Sequence, residues 1–252
     1  MPRITIVGLG LIGTSLGLAL KKRGLANVEI LGHEVEREAA IRSKKLGAVD
    51  GIERYLPSAV EKADMVVIAT PVLAIKDVLE TIAPHLAEGA IVTDTGSTKT
   101  KVLNWAVEHL SPSNSFVGGH PMAGKTESGP DAADADLFVG APYCILPGKN
   151  ATPTAVQVVT DLARMIEAVP YFVDPFEHDT YVAAISHLPI AISAAMVASV
   201  SRSPSWKEMA RLAAGGFRDT TRLAQADPIM NRDIFLTNQE AIGYWIDELI
   251  KE

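Results

Sequence analysis

The stretch Ile4-Thr5-Ile6-Val7-Gly8-Leu9-Gly10-Leu11-Ile12-Gly13-Thr14-Ser15-Leu16 decides the fold. A β-branched run, a G-x-G-x-x-G and then apolar residues at helical spacing read as strand, tight turn and helix. Each glycine has a separate task. Gly8 permits the turn, Gly10 lets backbone approach a pyrophosphate, and Gly13 lets the helix lie close to the strand. The helix start at Leu11 and Ile12 presents free N–H groups and a partial positive charge to phosphates. A glycine turn can be merely structural, but its place between strand and helix favours a dinucleotide.

Working outward, short apolar runs at residues 28–31, 65–68 and 90–93 alternate with helical patterns at 12–23, 37–46, 73–86 and 99–110. Phe116-Val117 starts another strand, and residues 118–130 read as a glycine-rich loop. Uniformly apolar strands separated by helices indicate a parallel sheet covered on both faces. The expected class is therefore α/β, a Rossmann-type doubly wound, mostly parallel sheet. Late strands at 143–146 and 171–173 flank a helix over 153–168, and beyond Asp174-Pro175 strand signals stop. The expected division is a dinucleotide-binding domain over 1–174 and an all-helical dimerisation and substrate domain over 175–252.

The composition fits this reading. The chain has 252 residues, 48% hydrophobic and 21% charged, which excludes collagen-like and disordered classes. Its net charge is −7 and it has no run of five Lys/Arg, so nucleic acid is not expected as a partner. The single Cys144, between Tyr143 and Ile145, reads as a buried strand thiol. The start Met1-Pro2-Arg3 leads directly into a strand without a signal-like segment, so a cytoplasmic protein is expected. Residues 180–201 contain no Lys, Arg, Asp or Glu and are long enough to span a bilayer. They also carry Ser186, His187, Pro189, Ser193 and Ser199, and an all-round apolar helix is equally a buried one. We expect no membrane, and a helix buried in a homodimer.

Several residues carry chemistry. Glu34 stands where the second strand ends and would accept from a ribose 2′-hydroxyl while repelling a 2′-phosphate. That favours NAD, although His33 and Arg37 are close enough to leave NADP possible, and a solvated Glu is the plain alternative. Thr70-Pro71 and Asp94 end later strands, at the edge where such sheets bind ligands. Ser97 could simply cap the next helix, whereas Lys99 in its first turn opposes the helix dipole and so points to a role of its own. His120 follows Val117-Gly118-Gly119 and precedes Pro121, an extended and uncrowded setting for a residue that exchanges protons near neutral pH. His187 reads equally as a satisfied core histidine or a site residue. Arg218 and Arg222 frame a helix start that could be a salt-bridged turn or a grip for a small dicarboxylate. Gly119 to Thr126 spells a P-loop but lacks the helix that must follow, and Gly13 to Gly17 spells a nucleophile elbow inside a helix. No metal site is expected from the histidine spacing.

At these residues the chain resembles the prephenate/arogenate dehydrogenase family of tyrosine biosynthesis. The motifs are Val7 to Gly13, Asp94-Thr95-Gly96-Ser97-Thr98-Lys99, Gly118-Gly119-His120-Pro121-Met122-Ala123-Gly124, Ile185-Ser186-His187-Leu188-Pro189 and Gly216-Phe217-Arg218-Asp219-Thr220-Thr221-Arg222. Together and in this order they are specific. The resemblance implies NAD(P)-dependent oxidative decarboxylation of a cyclohexadienyl dicarboxylate, with a helical domain that dimerises. It implies His120 as hydrogen-bond acceptor and base, Ser97 as its helper at the hydroxyl, and Arg222 on a substrate carboxylate. It extends the substrate site to His187, Arg218, Lys99 and Thr126, the last standing where some members have an acid. Ile190 replaces a second histidine found in many prephenate-using members, and Asn231 replaces a tryptophan of some, which is more like arogenate-using members. The alternatives are another Rossmann-plus-helical oxidoreductase, of β-hydroxyacid dehydrogenase or imine reductase type, or a non-enzymatic NAD-sensing dimer.

Overall fold

The computed structural model describes residues 1–24 and 27–252. Its strands are β1 (Arg3–Val7), β2 (Glu29–His33), β3 (Gly51–Ile52), β4 (Met65–Ile68), β5 (Ile91–Asp94), β6 (Ser115–Pro121), β7 (Pro142–Pro147) and β8 (Val169–Phe172). They form one sheet in the order β3-β2-β1-β4-β5-β6-β7-β8. All neighbours run parallel except β6 and β7, which are antiparallel. Val7 pairs with His33 on one side and Ile68 on the other, and Ile68 pairs with Asp94. The residues that follow these ends, Gly8, Glu34 and Ala69, therefore emerge together at one sheet edge.

Helices cover both faces, as uniformly apolar strands require. On one side α1 (Leu11–Lys22) and α6 (Pro153–Met165) close a core containing Ile6, Leu16, Leu20, Val67, Val117, Ile145 and Val159. On the other, α4 (Val72–Ile82) and α5 (Thr100–His109) close a core of Val7, Val66, Ile68, Ile75, Leu79, Val102 and Phe116. The short helices α2 (Arg37–Lys45) and α3 (Leu56–Val60) complete the layers. Neither α3 nor β3 was legible in the sequence, being five and two residues long.

The largest departure from expectation lies at residues 118–121, which are strand and not loop. Gly118, Gly119, His120 and Pro121 pair with Leu146, Ile145, Cys144 and Tyr143 of β7. The glycines serve close packing there: a Cβ on Gly119 would stand 2.5 Å from the Asp94 carbonyl oxygen and 2.7 Å from the Tyr143 hydroxyl. Cys144 is buried in β7 as expected, and burial pushes its thiol pKa up.

The remaining elements are helical. α7 (Pro175–Val182), a π turn (Ala183–His187) and α8 (Leu188–Ser201) run continuously for 27 residues. Pro189 cannot donate to the Ile185 carbonyl and crowds it, and the helix opens into the wider turn at that point. Then come α9 (Trp206–Leu212), α10 (Gly215–Thr221), α11 (Pro228–Thr237) and α12 (Gln239–Lys251). Three bonds fasten α11 to the sheet domain: Leu73 N–H to Asp233, the Thr98 hydroxyl to the Thr237 hydroxyl, and the Lys101 ammonium to the Leu236 carbonyl. The long helix is apolar enough to cross a membrane, and within the single chain only 28% of its apolar window is buried.

Candidate active site

The glycine turn has the geometry its spacing implied. Gly8 has φ +94°, and a Cβ there would stand 2.6 Å from the Ala69 carbonyl oxygen. A Cβ on Gly13 would fall 1.9 Å from the Gly8 carbonyl oxygen, so only glycine lets α1 begin this close to β1. A Cβ on Gly10 would meet nothing within 4 Å, and Gly10 brings no side-chain cap to Leu11, Ile12 and Gly13. Open space in front of uncapped helix N–H groups suits a pyrophosphate. Beside it the Thr70 hydroxyl is buried without a partner among the described residues, and Pro71 immediately precedes α4. Glu34 accepts from Leu9 N–H at 2.7 Å and from Glu36 N–H at 3.0 Å, which holds its carboxylate against the turn. It lines a cavity of about 330 Å³ with Arg37, Ile41, Ile52 and Arg54. These residues fit a dinucleotide, with the acid at the ribose and the cavity wide enough for a base.

Two expected site residues are committed to structural partners beside His120. Lys99 and Asp94 are fully buried and ion-paired to each other. The ammonium also donates to the Gly119 carbonyl at 2.8 Å, and the carboxylate accepts from the N–H groups of Gly96 and Gly119 at 2.8 and 3.2 Å. Neither side chain is exposed in the single chain. The pair instead pins the end of β5 to β6, and an unfavourable first-turn lysine is explained by its buried partner. Ser97 does not cap α5 either. The cap comes from Asp179, 80 residues on, whose two carboxylate oxygens accept from Lys99 N–H and Thr100 N–H at 2.8 Å each. Ser97 is left half-buried, with a hydroxyl that makes no hydrogen bond among the described residues.

His120 stands three residues past the last β5–β6 pair, Thr93 with Val117. Its Nδ1 lies 2.9 Å from Nε2 of His178, and Nδ1 of His178 lies 2.9 Å from Oδ1 of Asp179. All three side chains are buried. Burial holds the His120 pKa well below the usual imidazole value, and a second cation there would also be opposed by the Lys99 ammonium and the neighbouring rings of His178 and His187. Asp179 is held below the ordinary carboxylate range: burial raises it, but hydrogen bonds from His178, Thr100 and Lys99 lower it further. His187 is buried in the π turn beside Asn238 Nδ2, at 3.2 Å. Burial takes its pKa down to about 4, against the pull of Asp179. Sequence reading singled out His120 and His187 but missed His178 and Asp179. Their only signal is a His–Asp pair at the head of the apolar helix.

Arg218 and Arg222 are exposed on α10 and the turn after it, which pack against α8. Neither side chain forms an ion pair among the described residues, so both remain available to an anion. Thr126, on the loop after β6, bonds its neighbour Glu127 at 3.1 Å. The arrangement thus combines a nucleotide cradle, a buried histidine at the same sheet edge and two uncommitted arginines.

Comparison with known proteins identifies the family and the fold. The family model for the prephenate dehydrogenase nucleotide-binding domain matches residues 16–171, and that for the dimerization domain matches 174–252. A prephenate dehydrogenase of Bacillus subtilis is 39% identical over 99% of this chain, which spans 67% of that protein's length. The crystal structure of prephenate dehydrogenase from A. aeolicus, in complex with hydroxyphenyl propionate and NAD+, superposes with a TM-score of 0.92. It is 30% identical and covers 100% of this chain and 87% of its own. Synechocystis arogenate dehydrogenase superposes at 0.81 with 32% identity, over 99% of this chain and 88% of its own. With the two domain models matched in succession over residues 16–171 and 174–252, the chain belongs to the prephenate dehydrogenase family.

Proposed function

We propose that the chain oxidatively decarboxylates a cyclohexadienyl acid, prephenate or arogenate, with NAD as the preferred cofactor. The observation that carries this is His120: buried at the carboxyl edge of the sheet that holds the glycine turn, bonded through Nδ1, with no partner for Nε2 among the described residues. A nicotinamide cofactor supplies the hydride acceptor. His120 takes the proton of the ring hydroxyl as hydride leaves the carbon that bears it. Carbon dioxide departs from the opposite carbon, and the ring becomes aromatic. Ser97, freed from capping by Asp179, helps place the hydroxyl.

Arg222 grips the side-chain carboxylate. A tight ion pair to the departing carboxylate would stabilise the ground state and oppose decarboxylation. Glu34 favours NAD over NADP at the ribose. Ile190, buried in α8 where a second histidine stands in many prephenate-using members, favours the amino-acid side chain of arogenate. The domain boundary falls at residue 174, and the exposed apolar face of α7 and α8 is covered by a second copy, in keeping with the dimerization domain model. Covered in this way the long helix needs no bilayer, and we read the chain as a cytoplasmic homodimer.

The test is absorbance of reduced nicotinamide in a grid of prephenate or arogenate against NAD or NADP. Turnover is expected, most strongly with arogenate and NAD. A preference for prephenate would remove the Ile190 argument, and a preference for NADP the Glu34 argument. Silence in all four, with NAD still bound, would favour the sensor reading.

A further inference from the structure

We propose that His178 and Asp179 act as positioning residues that fix the tautomer of His120 and share the proton it takes up. This rests on His120 being the base. Hydrogen-bond polarity can be followed inward from the only member that cannot donate. The Asp179 carboxylate is acceptor-only, and its oxygens already take Lys99 N–H and Thr100 N–H at the start of α5. His178 Nδ1, 2.9 Å from Oδ1, must therefore carry its proton. A neutral His178 then has a bare Nε2, which is an acceptor. His120 Nδ1, 2.9 Å away, must be the donor, and the lone pair of His120 falls on Nε2.

The chain Asp179–His178–His120 thus leaves the lone pair of His120 on Nε2, the ring nitrogen with no partner among the described residues, as a base for the reacting hydroxyl requires. Without it, His120 could equally carry its proton on Nε2 and meet the substrate as a donor.

The same chain receives charge. As the hydroxyl O–H bond breaks and the Nε2–H bond forms, His120 becomes a cation in a buried setting. Its Nδ1 proton can pass along the 2.9 Å bond to His178 Nε2, which moves the positive charge next to Asp179. No proton is gained or lost in that transfer. Lys99 offers no competing sink, because its ammonium is already paired with Asp94. Asp179 is suited to the task because the first turn of α5 holds it ionised.

Three measurements on the full chain test the proposal. Nitrogen-15 spectra of histidine-labelled protein at neutral pH should show His120 and His178 both protonated at Nδ1 and bare at Nε2. The opposite tautomer at His120 would overturn the assignment. His178→Ala should lower kcat on the order of 10- to 100-fold, a part of the usual general-base contribution, with KM and NAD affinity nearly unchanged. His178→Gln should recover part of that loss, because its amide oxygen can accept from His120 Nδ1–H. An unchanged kcat in folded His178→Ala would sink the relay, as would a Gln variant no better than Ala. If the Ala variant does not fold, the Gln variant and the spectra of the unaltered protein decide. The base reading fails separately, if His120→Asn retains normal turnover.

Discussion

At the scale of single residues, one histidine and one buried lysine do opposite work. His120 is the group whose removal should stop chemistry but spare the fold. His120→Asn is expected to lower kcat by roughly 10²–10⁴ with NAD still bound, as loss of a general base should. A titration of cofactor fluorescence beside a rate assay checks both halves, and undiminished turnover would take His120 out of the mechanism. Lys99 is the converse. It looked like a ligand-facing cation in the sequence, but it is sealed against Asp94 between β5 and β6. Lys99→Met should cost about 3–5 kcal/mol of stability, because it leaves the Asp94 carboxylate buried without its cation. Chemical denaturation reads that loss directly, and a variant as stable as the parent would mean that the bonds from Gly96 and Gly119 suffice for Asp94.

At the scale of elements, the tightest constraint is where α1 meets β1. The Gly13 Cβ position lies 1.9 Å from the Gly8 carbonyl oxygen, a backbone atom that cannot swing aside. Gly13→Ala must push the helix start away from the strand and with it the N–H groups that face the pyrophosphate. NAD affinity should fall by about tenfold or more, that is, by at least about 1.4 kcal/mol. Isothermal titration would show this, and unaltered affinity would mean that the phosphates bind elsewhere. Much of this element was legible, since the glycine spacing encodes the close approach directly. The extent of β6 was not. Gly118 and Gly119 read as loop because local propensity penalises glycine in strands, whereas the antiparallel pairing to β7 and the contact with Asp94 require it.

At the scale of the whole molecule, the exposed face of the long helix and the buried histidines set the behaviour. Ile185 is 70% exposed in the single chain. If a second copy covers it, Ile185→Glu buries a charge at the interface and should shift sedimentation from dimer to monomer at micromolar concentration. A variant that remains dimeric would place the interface on another face.

The histidines predict a pH dependence of stability. His187 titrates at about 4 when folded and near its ordinary 6.5 when unfolded, so between those values the unfolded chain binds more protons. Its contribution is complete above 6.5 and declines as pH falls toward 4, by roughly 3 kcal/mol in all. Depression of His120 acts in the same direction. Urea midpoints measured above pH 6.5 and between the two values should fall accordingly, and a midpoint that rises on acidification would contradict the burial of these rings.

By itself the sequence determined the doubly wound sheet and the close glycine turn at Gly8, Gly10 and Gly13, and it singled out Glu34 and His120 as candidates. Those features are written in local spacing: a strand period, a helix period and glycines at fixed offsets between them. Only the tertiary structure decided what Lys99, Asp94 and Asp179 do. Each acts on a partner that local pattern does not reveal, across the sheet at Gly119 or from a helix 80 residues away. Polarity in a buried network is fixed by which groups meet, and the meeting of α7, α5 and β6 exists only once the chain has closed on itself.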